Sequence, residues 1–254
     1  MTQHKHAVFC QPGRKPAYAI IVAAGAGSRM GIRENKVFVR LGRYPVICRT
    51  VLAFEHHPRI AGIVVVAAAQ ELAVMASTLA DIRPVKILAL VPGGATRQES
   101  VRQGLQALQA QAALRPDSPV LIHDGARCFV SQPVIDRVLD GIGQYQACGA
   151  AVPVKDTIKE ATVGRQVLKT PDRSRLWAMQ TPQGAEWSLL EHAYRQAAEA
   201  DRQGTDDLSL LEQAGHTVYL VDGDYRNIKI TTPDDRILGL GLAEEDDQSA
   251  DAIT

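Results

Sequence analysis

Short apolar runs rich in β-branched residues alternate with amphipathic stretches along most of this chain, and that alternation leaves few folds open. The apolar runs predict strands at 19–23, 62–68, 85–91, 119–123 and 149–154. The stretches between them predict helices at 44–57, 71–80, 96–110 and 131–142; in the first of these Ile47, Val51 and Phe54 fall on one face at helical spacing. Ser131 suits an N-cap and Pro133 a first helical turn. Strands apolar on both faces indicate a mostly parallel sheet with helices on both sides. The rhythm breaks over 155–180, where polar and apolar residues alternate about a turn at Gly164, which predicts a projecting β-hairpin arm. Beyond it, helices are predicted at 186–200 and 206–214 and strands at 217–221 and 227–231. Thr232-Pro233-Asp234-Asp235 then opens a last helix with a capping hydroxyl, a proline and two acids. One domain over 17–243 is expected, with a loose extension at 1–16 that has no apolar signal core and an acidic, frayed tail at 244–254.

Composition narrows the partners. Lys plus Arg and Asp plus Glu both number 28, so no global field draws nucleic acid or a membrane surface, and any anion site must be local. The longest apolar runs, such as that at 63–69, fall far short of the ~20 residues that span a bilayer. Cys10, Cys48, Cys128 and Cys148 are widely separated, which gives no CxxC pair for zinc or redox work and fits reduced thiols in the cytoplasm.

The chemistry starts at AIIVAAGAGSRMG, with Gly25, Gly27 and Gly31 at the carboxyl end of the first predicted strand. Glycines there let backbone N–H groups approach phosphate oxygens, and ligands of open α/β sheets bind at that end of the strands. The GK[ST] ending of a P-loop is absent. The spacing is GxGxxxG, and no acid occurs at 35–50 to hold a ribose, so a dinucleotide loop is a poor fit. Arg29 and Lys36 instead place two cations beside the loop, which suits a triphosphate whose charge grows during reaction. A tight turn with solvent-facing cations explains the loop equally well when it is taken alone.

The later motifs break that tie. VPGGATRQESV at 91–101, LIHDGAR at 121–127, VPVKDTIK at 152–159, TPDRSRLWAMQTPQ at 170–183, GTDD at 204–207 and NIKITTPDD at 227–235 come after the loop in order. Together with AAGAGSRMG and Asn35-Lys36, this series resembles the 2-C-methyl-D-erythritol 4-phosphate cytidylyltransferase family of the non-mevalonate isoprenoid route, from about Ala19 to Asp235. The resemblance implies a Rossmann-like nucleotidyltransferase fold and transfer of a cytidylyl group from CTP to a polyol phosphate with release of pyrophosphate. It implies that Ala23, Ala24, Gly25, Ala26, Gly27, Gly94, Ala95, Arg97, Ser100 and Gly125 bind the nucleotide, with base contacts from the backbone of Gly94 and Ala95. Arg29, Lys36, Arg173 and Lys229 would be catalytic, and Asp124, Arg127, Thr157, Arg173, Thr205 and Lys229 would hold the polyol phosphate. Asp124 would also hold Mg²⁺ or another divalent cation. The arm, through Thr157 and Arg173, would cross to the second copy of a homodimer, with neither nucleic acid nor membrane as partner. His123 is expected to be structural, and Thr205-Asp206-Asp207 to suit a helix cap as well as a substrate contact. Two departures stand out: Ala95 replaces an acid frequent in the family, and Cys128 a proline. A cytidylyltransferase for another polyol phosphate, such as ribitol 5-phosphate, and a non-catalytic nucleotide-binding regulator on the same fold are the alternatives.

Overall fold

The computed structural model describes residues 15–25 and 35–251, the last three as backbone only. Five strands and four helices keep the predicted alternation: β1 Ala17–Val22, α1 Val46–Glu55, β2 Ile60–Ala67, α2 Leu72–Ala80, β3 Ile87–Pro92, α3 Arg97–Gln111, β4 Pro119–Asp124, α4 Gln132–Tyr145 and β5 Ala147–Pro153. After the arm come β6 Trp177–Glu186, α5 Trp187–Glu199, α6 Asp207–Gln213, β7 Tyr219–Asp222 and α7 Pro233–Asp251.

These strands form one sheet in the order β7-β5-β6-β4-β1-β2-β3. All pairings are parallel except those of β6, which runs antiparallel to both β4 and β5. Alternate strand residues serve opposite faces. Ala19, Ile21, Ile63 and Val65 pack with α1, α2 and α4, whereas Ile20, Val64, Val66 and Ile122 pack with α3, α5 and α6. Strand order reverses between β1 and β4, so their carboxyl ends diverge there into loops, and Val22 pairs with Asp124 at the edge of that opening.

Three expectations are corrected. The arm ends before Trp177, where the chain enters the antiparallel strand β6, which sequence periodicity does not announce. The segment at 227–231 is no strand; Ile230 donates a single backbone bond to Ala126 and otherwise packs as a loop. The acidic segment from Glu244 is not a frayed tail over its described part, because α7 continues through it to Asp251. The arm itself is a short ladder of Glu160–Ala161 against Val167–Lys169, largely exposed. The expected extension at 1–16 lies outside the described residues up to residue 14.

Close approach of α3 to the sheet depends on Gly104. A Cβ there would stand 2.5 Å from Ile20 Cγ2 and 3.0 Å from Val66 Cγ2. Gly104→Val is therefore expected to lower unfolding free energy by roughly 1–3 kcal/mol through overpacking. Urea denaturation measures this, and an unchanged midpoint would contradict it.

Candidate active site

A cavity of about 350 Å³ opens at the strand-order reversal, between the carboxyl ends of β1 and β4 and the start of α3. Ala23, Ala24, Gly25, Lys36, Gly94, Ala95, Arg97, Ser100, Asp124 and Lys229 all line it. Segments more than 200 residues apart in sequence thus meet on one wall. Ala26, Gly27 and Arg29 lie outside the described residues. A second opening of about 390 Å³, beside Tyr44, Arg49 and Asp246, has neither the glycine-rich loop nor the strand ends, so the chemistry is placed at the first.

Both flanks of the glycine-rich loop are pinned. On one side, Ala23 donates its N–H to Val66 at 2.7 Å, extending the sheet. On the other, the buried Asn35 caps the 3-10 turn Lys36–Phe38 and gives its amide to the Ala23 carbonyl at 3.4 Å and to Glu71 at 2.8 Å. Asn35 thereby ties the turn that carries Lys36 to the end of β1.

Asp124 is the electrostatic centre. Its Oδ1 accepts from Arg97 Nε at 3.0 Å and its Oδ2 from Lys229 Nζ at 2.6 Å. Burial opposes its ionisation, but Arg97 and Lys229 outweigh burial and hold the carboxyl well below the usual range. Arg97 is gripped from the far side by Asp207, with paired bonds of 2.9 and 2.7 Å. Burial works against the guanidinium charge, yet Asp207 and Asp124 hold it protonated. Asp207 is almost wholly buried and also accepts from the Tyr194 hydroxyl at 2.5 Å. Gln183 on β6 accepts from the backbone N–H groups of Asp207 and Leu208 and donates to Asp206, which caps α6. Asp206 thus fulfils the cap reading, whereas no motif in the sequence announces the Arg97–Asp207 grip.

The turn at 93–96 is internally bonded. Gly94 N–H donates to Ser100 Oγ at 3.1 Å, and Ala95 N–H to Glu99 Oε2 at 2.8 Å. Ser100 Oγ donates its own hydrogen bond to the Thr96 carbonyl at 2.9 Å. Gly93 and Gly94 are required here because a Cβ on either would run into Ser100 or Glu99. Ser100 therefore shapes the turn, and Glu99, which the sequence did not single out, occupies the Ala95 donor.

Five expected site residues do not line the cavity. Gly125 lies under it: its N–H donates to the Val22 carbonyl at 2.8 Å, and a Cβ would come 3.1 Å from Ala23 Cβ. Arg127 turns away and donates to the carbonyls of Asn227 at 2.7 Å and Met179 at 3.3 Å, so its guanidinium joins the loop at 227 to β6 rather than facing the opening. Thr157 and Thr205 are exposed. Arg173 closes the root of the arm on the Lys155 carbonyl at 2.7 Å.

His123, beneath Asp124, is fully buried and structural. Its Nε2 lies 2.9 Å from the Arg127 carbonyl, which only accepts, so Nε2 carries the proton and Nδ1 accepts from Thr181 Oγ1 at 3.0 Å. Thr181 in turn accepts the Asp124 N–H at 3.1 Å. This chain holds the strand end that presents Asp124.

The matches with known proteins run over the same residues. The IspD family model, 2-C-methyl-D-erythritol 4-phosphate cytidylyltransferase, matches residues 17–244. Proteins of that name from Alkaliphilus metalliredigens and Geobacillus kaustophilus are 40% and 46% identical to this chain; the alignments cover 89% and 85% of it and 92% of each relative. The crystal structure of 4-diphosphocytidyl-2C-methyl-D-erythritol synthase from Anaerococcus prevotii superposes with a TM-score of 0.77 at 30% identity, covering 91% of this chain and 96% of that one.

Burial pushes the His123 imidazole down to about 4 from an ordinary 6.5. The unfolded chain therefore binds a proton that the folded chain refuses between those values, and stability falls as pH drops through this window. Between pH 7 and pH 4 the parent should lose on the order of 3 kcal/mol more than His123→Gln, from the free energy of a shift of this size. Chemical denaturation across that range measures the difference, and parallel profiles would refute it.

Proposed function

The chain belongs to the 2-C-methyl-D-erythritol 4-phosphate cytidylyltransferase family, and from that premise we propose that it joins CTP to 2-C-methyl-D-erythritol 4-phosphate. The products are 4-diphosphocytidyl-2-C-methyl-D-erythritol, an intermediate of isoprenoid biosynthesis, and pyrophosphate. The observation that carries the reading is the convergence of Lys36, Arg97 and Lys229 with Asp124 around the opening beside the glycine-rich loop. Three cations line the opening with one ionised carboxylate, Asp124, and a second, Asp207, holds Arg97 from behind; cations still outnumber these two carboxylates in a chain of zero net charge, which suits phosphate ligands.

In this reaction a phosphate oxygen of the polyol attacks the α-phosphorus of CTP, the new P–O–P link forms, and the bond to pyrophosphate breaks. The protein's share is positioning and charge stabilisation. With the Ala23 N–H already given to Val66, the backbone of the loop from Ala24 onward would cradle the triphosphate, and Arg29 and Lys36 would oppose the charge that builds on the α-phosphoryl oxygens. The cytosine sits against Gly94 and Ala95 and takes the Ala95 N–H from Glu99, whose side chain is 42% exposed and also reaches Arg102. Arg97 works here as the support that aims Asp124. Lys229 steers the phosphate of the polyol.

The residues present fit a divalent cation. Asp124 is an ionised hard oxygen donor, each oxygen retains lone pairs beyond its single cationic partner, and one carboxylate with phosphate oxygens and water is a common set for Mg²⁺. Such an ion would neutralise charge between the phosphates.

The arm supports a homodimer with shared sites. Val163 and Leu168 on it, and Tyr219 and Leu220 on the edge strand β7, are exposed apolar side chains of the kind that a second copy covers. Thr157 and Arg173 would then complete the partner's cavity, which explains why they do not line their own. Among the described residues no helix is long and apolar enough to cross a membrane. Cys48, Cys128 and Cys148 are free thiols, in keeping with a reaction placed in the cytoplasm.

Pyrophosphate release in the presence of Mg²⁺ and CTP tests the reading. Turnover is expected with methylerythritol phosphate and little with ribitol 5-phosphate; no release with the former would overturn the assignment. Arg29→Ala and Lys36→Ala should each lower kcat by about 10²–10³-fold with a smaller change in KM. Mixing Arg173→Ala with Lys36→Ala chains should restore part of the activity if the arm crosses, and none if each copy works alone.

A further inference from the structure

The acidic run Glu244-Glu245-Asp246-Asp247 has no local reason to sit where it does. It lies near the carboxyl end of α7, where carboxylates oppose the helix dipole, and most of it falls beyond residue 244, where the family match stops. Its reason is tertiary. Asp247 Oδ1 and Oδ2 both accept from Arg49 Nη2, at 2.8 and 2.7 Å, and Oδ2 also accepts from the Arg43 N–H at 3.0 Å. Arg49 is only 8% exposed at its side chain, and its Nε donates to the Leu41 carbonyl at 2.8 Å. These bonds enclose the small hairpin Arg40–Leu41/Tyr44–Pro45, whose tip Gly42 has φ +61°. A Cβ at Gly42 would lie 2.5 Å from Asp247 Oδ2, so hairpin and helix are in contact there.

That hairpin comes directly after the turn Lys36–Phe38, to which it is joined by the Val39 N–H bond to the Lys36 carbonyl and the Val46 N–H bond to Val39. Beneath it, Leu41 and Val46 share one apolar cluster with Ile230 and Ala243. Gly239 of α7 packs there at a distance that a Cβ would shorten to 3.0 Å from Ile230 and 3.1 Å from Leu41. The neighbours of Lys36 and Lys229 thus rest on the same helix.

We propose that Asp247 is a positioning residue for Lys36, acting through Arg49 and the Arg43 backbone to lock the hairpin that carries the lysine's turn. The proposal rests on the reading of Lys36 as a cation of the reaction. Asp247→Ala should lower kcat about five- to tenfold, leave KM for the polyol phosphate within twofold, and keep the circular dichroism of the folded full-length chain. Asp247→Glu should recover part of the rate. In a Lys36→Ala background the same change should have no further effect on kcat, which a merely structural loss would not reproduce. Should alanine unfold the chain, Asp247→Asn, which keeps size but loses charge, is read in the same way. Parental kcat in a folded Asp247 variant beside a slow Lys36→Ala would overturn the lock alone, as would equal losses with and without Lys36. A Lys36→Ala chain that turns over normally would overturn the reading of the site and the lock with it.

Discussion

Arg97 is held between two carboxylates that come from different layers of the fold, Asp207 at the start of α6 and Asp124 at the end of β4. Almost everything at the site refers to that grip. It joins α3 to the sheet's central opening, sets the side of Asp124 that faces Lys229, and ties the start of α6 to that of α3. The pairing is workable because the partners are unequally buried. Asp207 and Asp124 show 1% and 11% of their side chains, whereas Arg97 shows 32%. Two desolvated carboxylates around one guanidinium carry a desolvation cost that a further donor to each offsets. Tyr194 supplies it for Asp207 and Lys229 for Asp124. The arrangement is a closed circuit of charges, and it specifies geometry more than it adds stability.

How much of the fold is legible in the sequence depends on how each element is stabilised. Strands buried on both faces by helices show as unbroken apolar runs, so β1, β2 and β4 stand out and with them the helices between. Strand β6 is equally central but carries Gln180, Thr181 and Gln183, all buried and all hydrogen-bonded to loops and to α6. Its interior is polar because it fastens other elements, and periodicity is blind to that. The reverse error arises at 227–231, where alternation is present but no neighbouring strand is. Asn227 is buried there through bonds to Thr181 and Gln180, so the segment is fixed by its side chains rather than by a ladder. The end of α7 misleads for a related reason: the acids that read as tail are matched to Arg49, Arg43 and Arg226, which lie some 20 to 200 residues away.

At the site, motif order locates the right loops, and the cavity gathers most of the residues named from them. Direction is the part that a motif does not carry. Arg127 and Lys229 look alike as cations in a strand-end motif, yet one guanidinium is used up on the carbonyls of Asn227 and Met179 while the other cation meets Asp124. Ser100 and Gly125 stand at or under the cavity for steric and backbone reasons, which a motif records without distinguishing them from contact. Asn35, the less conspicuous half of Asn35-Lys36, is the residue that fixes the lysine's turn to β1.

A cation that stabilises transient charge must be placed before the charge appears, and lysine is poorly suited to this because its long stem has many rotamers. The fold restricts Lys36 by fixing its backbone at both ends. Asn35 holds the turn on the sheet side; the hairpin, Arg49 and Asp247 hold it on the helix side. Lys229 has its own constraint in the Ile230 anchor, buried in the cluster that also receives Leu41. A rigid backbone on two sides leaves only side-chain entropy to be lost when a phosphate binds. It also means that helix α7, which contributes no group to the cavity lining, is coupled to the site through the two lysines whose neighbours rest on it.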